Sequence, residues 1–124
     1  MERMILKKIF FPMYDCSKAM ARDFDNDGDL DIIAASLFGS YQENKKPTES
    51  IVYLMNNGNM DFSASYIPEV MHGNWLTMEV GDFNKDNLLD VVLGTYVFDV
   101  QELMKIIEVN GNAKIPQVLL LTQF

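Results

Sequence analysis

Short apolar runs dominate the distribution of hydrophobic residues along this chain. The runs IIAAS, SIVYLM, VVLGT and QVLLLT each span five or six residues. Runs that are short, rich in β-branched residues and not strictly alternating are typical of strands covered on both faces of a sheet. Asn57-Gly58 follows the second of these strands, and this dipeptide predicts a type I′ hairpin turn. The pattern therefore predicts an all-β fold.

One segment departs from this pattern, because its apolar residues recur at helical spacing. Asp99 and Glu102 form a capping box, and Asn110-Gly111 could end a helix. The apolar positions between them are Val100, Leu103, Met104 and Ile107. We expect a short inserted helix near 100–109, and the alternative is a second hairpin through Asn110-Gly111.

The chain contains an internal repeat with an offset of 59 residues. ARDFDNDGDLDIIAAS (residues 21–36) aligns with VGDFNKDNLLDVVLGT (residues 80–95). Each copy predicts a strand, an acidic loop and further strands, and the first copy adds a hairpin and a fourth strand. Four short strands per repeat, at a period above about 50 residues, indicate a β-propeller blade. We therefore expect two four-stranded antiparallel blades, 1–68 and the incomplete 69–124, as a fragment of a larger propeller.

Negative charge is concentrated in two loops. The net charge is −8, and DFDNDGDLD (residues 23–31) with DFNKDNLLD (residues 82–90) accounts for −7 of it. Two like charges about 4 Å apart repel by roughly 1 kcal/mol in water, and by more near a protein surface. We therefore expect that a loop of this composition either is disordered or holds a cation, and a solvated acidic turn is the alternative. The ten Lys and Arg are scattered, so no basic stripe predicts a nucleic-acid partner.

The first loop has the residue types and spacing of a calcium site. Hard divalent cations prefer oxygen ligands, and alternate residues of a tight loop can turn towards one point. Gly28 permits a sharp turn at positive φ. We expect Leu30 to point into the core and anchor the loop. The predicted ligands are the side chains of Asp23, Asp25, Asp27 and Asp31, with the carbonyl of Asp29.

An EF-hand or dockerin-like module is an alternative with a different loop. The EF-hand loop has twelve residues and ends in a bidentate Glu. The twelfth residue is Ala34 counted from Asp23 and Ser36 counted from Asp25, and neither can serve as that ligand. The residues that follow the acidic loop are also predicted to form a strand, where an EF-hand has a helix.

DFDNDGDLDIIAAS and GDFNKDNLLDVVLGT resemble the FG-GAP or VCBS-type repeat, the blade of integrin-α-like propellers. YLMNNGNMDF is similar to the third-strand hairpin of that family. The resemblance implies a D-x-D-x-D-G-x-x-D loop that binds Ca²⁺ between the first two strands of a blade. In the second loop Asn84 replaces a carboxylate and Asn87 replaces the glycine, so we predict a weaker second site. Its ligands are Asp82, Asn84, Asp86, Leu88 and Asp90.

The resemblance implies a non-catalytic calcium-binding propeller segment that serves as a structural or interaction scaffold. The expected partners are a protein or glycan, other blades, or a second copy through exposed blade faces. The expected setting is extracellular, cell-surface or periplasmic, although residues 1–14 contain no signal-peptide cleavage pattern. An alternative is a propeller domain accessory to an exported enzyme, such as a carbohydrate-active one, whose catalytic part lies outside this chain.

Other chemistry-bearing residues are few. His72 is the only histidine, and no nucleophile pattern accompanies it, so no catalytic residue is predicted. Cys16 is the only cysteine, which excludes an intrachain disulfide and a thiolate zinc cluster. No apolar run is long enough for a transmembrane helix. The sequence therefore predicts a non-enzymatic protein with metal loops and without a membrane span.

Overall fold

Seven strands form two antiparallel sheets in the computed structural model, which describes residues 16–36, 50–67, 75–96 and 118–123 and positions 11, 13, 100, 101, 104, 107 and 108. The first sheet contains β1 (Cys16–Arg22), β2 (Asp31–Ser36), β3 (Ile51–Asn56) and β4 (Phe62–Tyr66), paired in that order. The second contains β5 (Trp75–Gly81), β6 (Asp90–Thr95) and β7 (Val118–Leu121). The predicted all-β fold of antiparallel sheets is confirmed, and the described residues form one four-stranded and one three-stranded sheet.

The inserted helix predicted near 100–109 falls largely outside the described residues. Positions 100, 101, 104, 107 and 108 have helical backbone conformation. The described part of the chain contains no helix whose first and last residues can be given. The alternative hairpin at Asn110-Gly111 also lies outside it.

The hairpin between β3 and β4 occurs where Asn57-Gly58 predicted it, but its turn is longer than a two-residue type I′ turn. Asn56 pairs with Phe62 at the base of the hairpin. Positive φ angles occur at Gly58, Asn59 and Met60, and not at Asn57. The type I′ assignment is therefore wrong, because a five-residue loop distributes the reversal over three left-handed residues.

The repeat seen in the sequence is also a repeat of strand register. Arg22 pairs with Asp31 in the first sheet, and Gly81 pairs with Asp90 in the second. The register also shifts at the equivalent place, between Cys16 and Lys18 in β1 and between Trp75 and Thr77 in β5. Each acidic loop therefore leaves and re-enters its sheet in the same way.

The two sheets pack head to tail, which means that the front face of one sheet contacts the back face of the other. Side chains alternate between the two faces of a strand, so each sheet has a front face and a back face. The front face contains Ile33 and Ala35 in the first sheet; the equivalent positions in the second are Val92 and Gly94. The back face contains Ala34, Val52 and Leu54 in the first sheet, and the equivalent Leu93, Leu119 and Leu121 in the second.

The front face of the first sheet packs against the back face of the second to form the main core. This core buries Ile33, Ala35, Ile51 and Phe24 together with Trp75, Met78, Val91 and Leu93. The Ser17 hydroxyl reinforces the contact, because it lies within hydrogen-bonding distance of the carbonyls of Ala35 and Trp75 on the two sheets. The back face of the first sheet forms a second cluster, which includes Phe11 and Met13.

This packing predicts a stability difference between two leucines of the second sheet. Leu93→Ala removes a fully buried side chain from the main core and should reduce the free energy of unfolding by about 2–5 kcal/mol. Leu120→Ala is the matched control, because Leu120 is 48% exposed on the front face of the same sheet. Urea denaturation followed by circular dichroism measures both losses. Equal losses would contradict the head-to-tail core.

Candidate metal loops

Three carboxylates of the first acidic loop converge. Asp23, Asp25 and Asp27 each offer a carboxylate oxygen, and the three oxygens lie within 4.8 Å of one another. Asp25 and Asp27 are exposed, and Asp23 is half-buried where the loop leaves β1. The predicted ligands Asp23, Asp25 and Asp27 are therefore brought to one point, and they form an oxygen donor set of the type that Ca²⁺ prefers.

Backbone amides of the loop hold these carboxylates in place. Asp23 Oδ1 accepts a hydrogen bond from the amide of Asp27 (3.1 Å), and Asp23 Oδ2 accepts one from Gly28 (2.9 Å). The amide of Asp29 donates to Asp27 Oδ1 (2.8 Å). The side chain of Asp29 is exposed, and the carbonyl ligand predicted at this residue stays a prediction.

Left-handed residues allow the loop to wrap around the carboxylates. Asn26 has a φ of 58° and Gly28 a φ of 94°. Their equivalents in the second loop, Lys85 and Asn87, have φ angles of 65° and 69°. Asn tolerates this region better than most residues, so the turn survives the replacement of the glycine.

The second loop repeats the hydrogen-bond pattern of the first. Asp82 accepts from the amides of Asp86 (3.1 Å) and Asn87 (3.0 Å), as Asp23 does from Asp27 and Gly28. The amide of Leu88 donates to Asp86 Oδ1 (2.9 Å). The loop therefore has the same shape, although it has one carboxylate fewer at the predicted side-chain ligand positions.

Asn84 changes the chemistry of this second loop. Its amide nitrogen donates a hydrogen bond to Asp86 Oδ2 (2.9 Å). In the first loop Asp25 stands at this position and has no proton donor to offer when ionised. The side-chain amide of Asn84 thus satisfies one oxygen of Asp86 and removes one negative charge. Both effects favour an ordered loop without metal and a weaker cation site.

Asp31 is buried at the base of the first loop and accepts three hydrogen bonds. The amide of Phe24 and the hydroxyl of Tyr53 donate to Oδ2 at 3.1 and 2.8 Å, and the amide of Asn56 donates to Oδ1 at 2.8 Å. Asp31 therefore ties the loop to β3, in addition to the ligand role that the sequence predicts. Sequence reasoning missed Tyr53 and Asn56, because only strand pairing brings them to Asp31.

Asp90, the equivalent of Asp31, has fewer partners. The amide of Phe83 donates to its Oδ2 at 2.9 Å, but its buried Oδ1 has no hydrogen-bond partner among the described residues. Leu120 stands where Tyr53 does in the first sheet, so no hydroxyl is available there. An unsatisfied buried acceptor costs about 1–3 kcal/mol, so the base of the second loop is less stable.

The apolar anchor of the first loop is Phe24 and not Leu30. Phe24 is buried in the main core, and Leu30 is 58% exposed, so the expectation for Leu30 is wrong. In the second loop the roles are exchanged: Leu89 packs on the core and Phe83 is 51% exposed. The cause is the head-to-tail packing, which covers the front of one loop and the back of the other.

Two groups beside the first loop have shifted pKa values. Desolvation raises the pKa of the Asp25 carboxyl, and the neighbouring Asp27 and Asp31 add to the shift. The Tyr53 pKa is raised far above its usual 10, chiefly by desolvation and also by its hydrogen bond to Asp31. Desolvation is therefore the largest cause of both pKa shifts, and the negative charge of the neighbouring carboxylates adds to it.

Removal of the Tyr53 hydroxyl tests the bond to Asp31. Tyr53→Phe should lower the free energy of unfolding at pH 7 by about 1.5–3 kcal/mol, because the hydrogen bond reaches a charged acceptor. Since the folded-state pKa is raised, the stabilisation is complete below pH 10 and is lost as the pH rises towards the folded-state value. The deficit should therefore shrink by about 1 kcal/mol between pH 10 and pH 11, because the unfolded-state tyrosine is already half ionised at pH 10.

Chemical denaturation at pH 7, 10 and 11 measures this deficit. Tyr66→Phe is the control, because Tyr66 is exposed on β4 and its ring contacts Phe11 instead. A deficit that does not change with pH, or one shared by Tyr66→Phe, would argue against the Tyr53–Asp31 bond.

Comparison with known proteins agrees with this architecture. The family model described as FG-GAP-like repeat matches residues 23–93, which is more than half of the chain and includes both acidic loops. No curated protein and no solved structure matches the chain. Among the described residues, no helix is long and apolar enough to cross a membrane. The matched segment runs from Asp23 into β6, so sequence, fold and loop geometry agree, and the chain belongs to the FG-GAP-like repeat family.

Proposed function

We propose that this chain is a non-catalytic calcium-binding scaffold, in which Ca²⁺ fastens each acidic loop to its propeller blade. The observation that carries the proposal is the convergence of Asp23, Asp25 and Asp27, whose carboxylate oxygens lie within 4.8 Å of one another. Like charges this close repel, and a divalent cation converts the repulsion into attraction. The family supports the same interpretation, since FG-GAP repeats can bind calcium.

The residues divide into those that would hold the ion and those that hold the loop. Asp23, Asp25 and Asp27 would bind Ca²⁺, with the carbonyl of Asp29 and, as the family pattern implies, Asp31. Asp31 also fixes the loop to β3 through Asn56. The bound ion would supply positive charge and a rigid link between β1 and β2. Binding energy of this kind contributes directly to folding stability.

The architecture favours a scaffold over a calcium sensor. The chain continues from the first loop directly into β2, and Ala34, at the twelfth loop position, lies buried within that strand. An EF-hand has a helix there, so the helical alternative is wrong. A cation between two strands of one sheet stiffens the sheet and does not open a groove.

We further propose an exported or cell-surface setting with a protein or glycan partner. FG-GAP repeats are typical of extracellular or surface proteins, where Ca²⁺ is abundant enough to saturate sites with a Kd of about 10⁻⁴–10⁻³ M. A structural site of that affinity would remain loaded outside the cell and be empty in a calcium-poor cytoplasm. The scaffold would therefore be most stable where its partners are expected.

Calcium should raise the melting temperature through the first loop. At about 10 mM Ca²⁺, a site of this affinity contributes roughly 1.4–2.7 kcal/mol, which corresponds to an increase of roughly 5–15 °C in Tm. Asp27→Ala should abolish most of that increase. Asp29→Asn is the control, because it keeps the carbonyl and changes only an exposed side chain. Identical melting curves in Ca²⁺ and in chelator would refute the proposal.

Restoring the carboxylate of the second loop should strengthen its site. Asn84→Asp removes the amide that donates a hydrogen bond to Asp86 and adds a fourth carboxylate to the predicted ligand set, so Ca²⁺ should bind the second loop roughly tenfold more tightly. Without Ca²⁺ the same variant should be less stable than the wild type. Calorimetric titration and melting in chelator measure the two effects. Asn84→Ser loses the amide without adding charge, and equal affinities in both variants would exclude the carboxylate explanation.

A further inference from the structure

A single buried residue, Asn56, connects the first acidic loop to the turn between β3 and β4. Asn56 is the last residue of β3 and is 5% exposed. Its backbone amide donates to Asp31 Oδ1 (2.8 Å), and its side-chain amide donates to the carbonyl of Leu30 (3.2 Å). Its Oδ1 accepts a hydrogen bond from the amide of Gly58 in the turn (3.0 Å). A displacement of either segment would therefore disturb the bonds that hold the other.

The hairpin tip, residues 57–61, has an unfavourable backbone conformation. Gly58, Asn59 and Met60 are consecutive residues with left-handed φ angles of 96°, 54° and 60°. Positive φ is ordinary for Gly and tolerated by Asn, but it is an outlier for a side chain as large as that of Met. Such conformations persist only where surrounding contacts enforce them, and they cluster at ligand clamps and switch regions. The shape of the hairpin tip therefore depends on the contacts around it.

Two sets of contacts hold the hairpin tip. Within it, the amide of Asn57 donates to the carbonyl of Asp61 (2.7 Å), and the amide of Asp61 donates to the carbonyl of Gly58 (3.1 Å). From below it, Asn56 binds the Gly58 amide, and Asn56 Nδ2 lies 3.9 Å from Met60 Sδ. The Asn56 carboxamide therefore contacts the tip at its first and third left-handed residues.

Calcium would act on the acidic-loop side of Asn56. Asp29, the predicted carbonyl ligand, directly precedes Leu30, and Asp31 is the ligand that the family pattern implies. A bound ion would therefore fix the Leu30 carbonyl and the Asp31 carboxylate, which are the two acceptors of Asn56. The tip also lies close to the loop, because a Cβ added at Gly58 would be 3.8 Å from Asp29 Oδ2. Two sites that are coupled in this way change each other's equilibria reciprocally.

We propose that Asn56 is a positioning residue through which Ca²⁺ at the first acidic loop stabilises the left-handed conformation of the hairpin tip. The tip exposes the side chains of Asn57, Asn59 and Met60, so calcium would regulate the shape of that surface. The equivalent residue of the second sheet, Gln123, likewise donates from its side chain to the second acidic loop. The inference rests on the proposed calcium binding and deepens it by giving a structural effect of the ion away from its ligands.

Hydrogen exchange of the tip amides, measured by NMR in Ca²⁺ and in chelator, tests this coupling. In the wild type, Ca²⁺ should slow the exchange of the Gly58 and Asp61 amides roughly tenfold, which is within the usual range of coupling between two sites. Asn56→Ala removes the side-chain bonds and should reduce this calcium-dependent factor to below about twofold. By reciprocity, calorimetry should show that Ca²⁺ binds the first loop of Asn56→Ala more weakly by a similar factor.

A control variant separates coupling from a general loosening of the tip. Ser63 Oγ accepts a hydrogen bond from Asn57 Nδ2 (2.8 Å), and this bond does not involve the acidic loop. Ser63→Ala should therefore exchange faster both with and without Ca²⁺, while the calcium-dependent factor stays unchanged. Melting curves establish that the variants fold. Should Asn56→Ala prove unfolded, Asn56→Gln replaces it, because Gln keeps an amide donor but its extra methylene moves the oxygen away from the Gly58 amide.

Three outcomes would overturn the inference. They are tip exchange that Ca²⁺ does not slow in a wild type whose Tm it raises, a calcium-dependent factor that the folded Asn56 variant retains, and loss of that factor in Ser63→Ala. Each of them leaves calcium binding in place and removes the coupling through Asn56 alone. A wild type in which Ca²⁺ changes neither Tm nor exchange would remove the proposed function, and the inference with it.

Discussion

A buried carboxyl group at the start of the second strand is the interaction on which each blade depends. Asp31 accepts hydrogen bonds from the first residues of its loop and from β3, so one side chain joins three segments of the chain. A group buried so completely must be satisfied by donors. The acidic loop above it is held at its base, and its remaining carboxylates are free to face one another.

Head-to-tail packing determines which side of each repeat is apolar and covered. The front of the first sheet and the back of the second form one core, while Leu120 remains on the outer surface. The same rule explains why Phe24 is buried and its equivalent Phe83 is exposed. Equivalent residues therefore have different energies according to their place in the stack, as expected for repeat proteins.

The sequence alone predicted the strands, the loop boundaries and the convergence of Asp23, Asp25 and Asp27, because these depend on local spacing. It failed for Leu30 and for the turn after Asn57, and it missed Tyr53. The burial of Leu30 is decided by a sheet some fifty residues away in the chain, and the Tyr53 bond requires the pairing of β2 with β3. A local sequence pattern predicts that a strand forms, but it does not predict which surface of the protein covers that strand.

The unpaired Oδ1 of Asp90 makes the second sheet less stable than the first. Among the described residues, the first sheet has four strands and a satisfied anchor, whereas the second has three strands and an acceptor without a donor. Partial opening should consequently begin in the second sheet while the first stays folded, because subglobal unfolding follows the weakest cooperative unit. Strand loss would proceed from β7 inwards, because among the described residues β7 pairs with β6 alone.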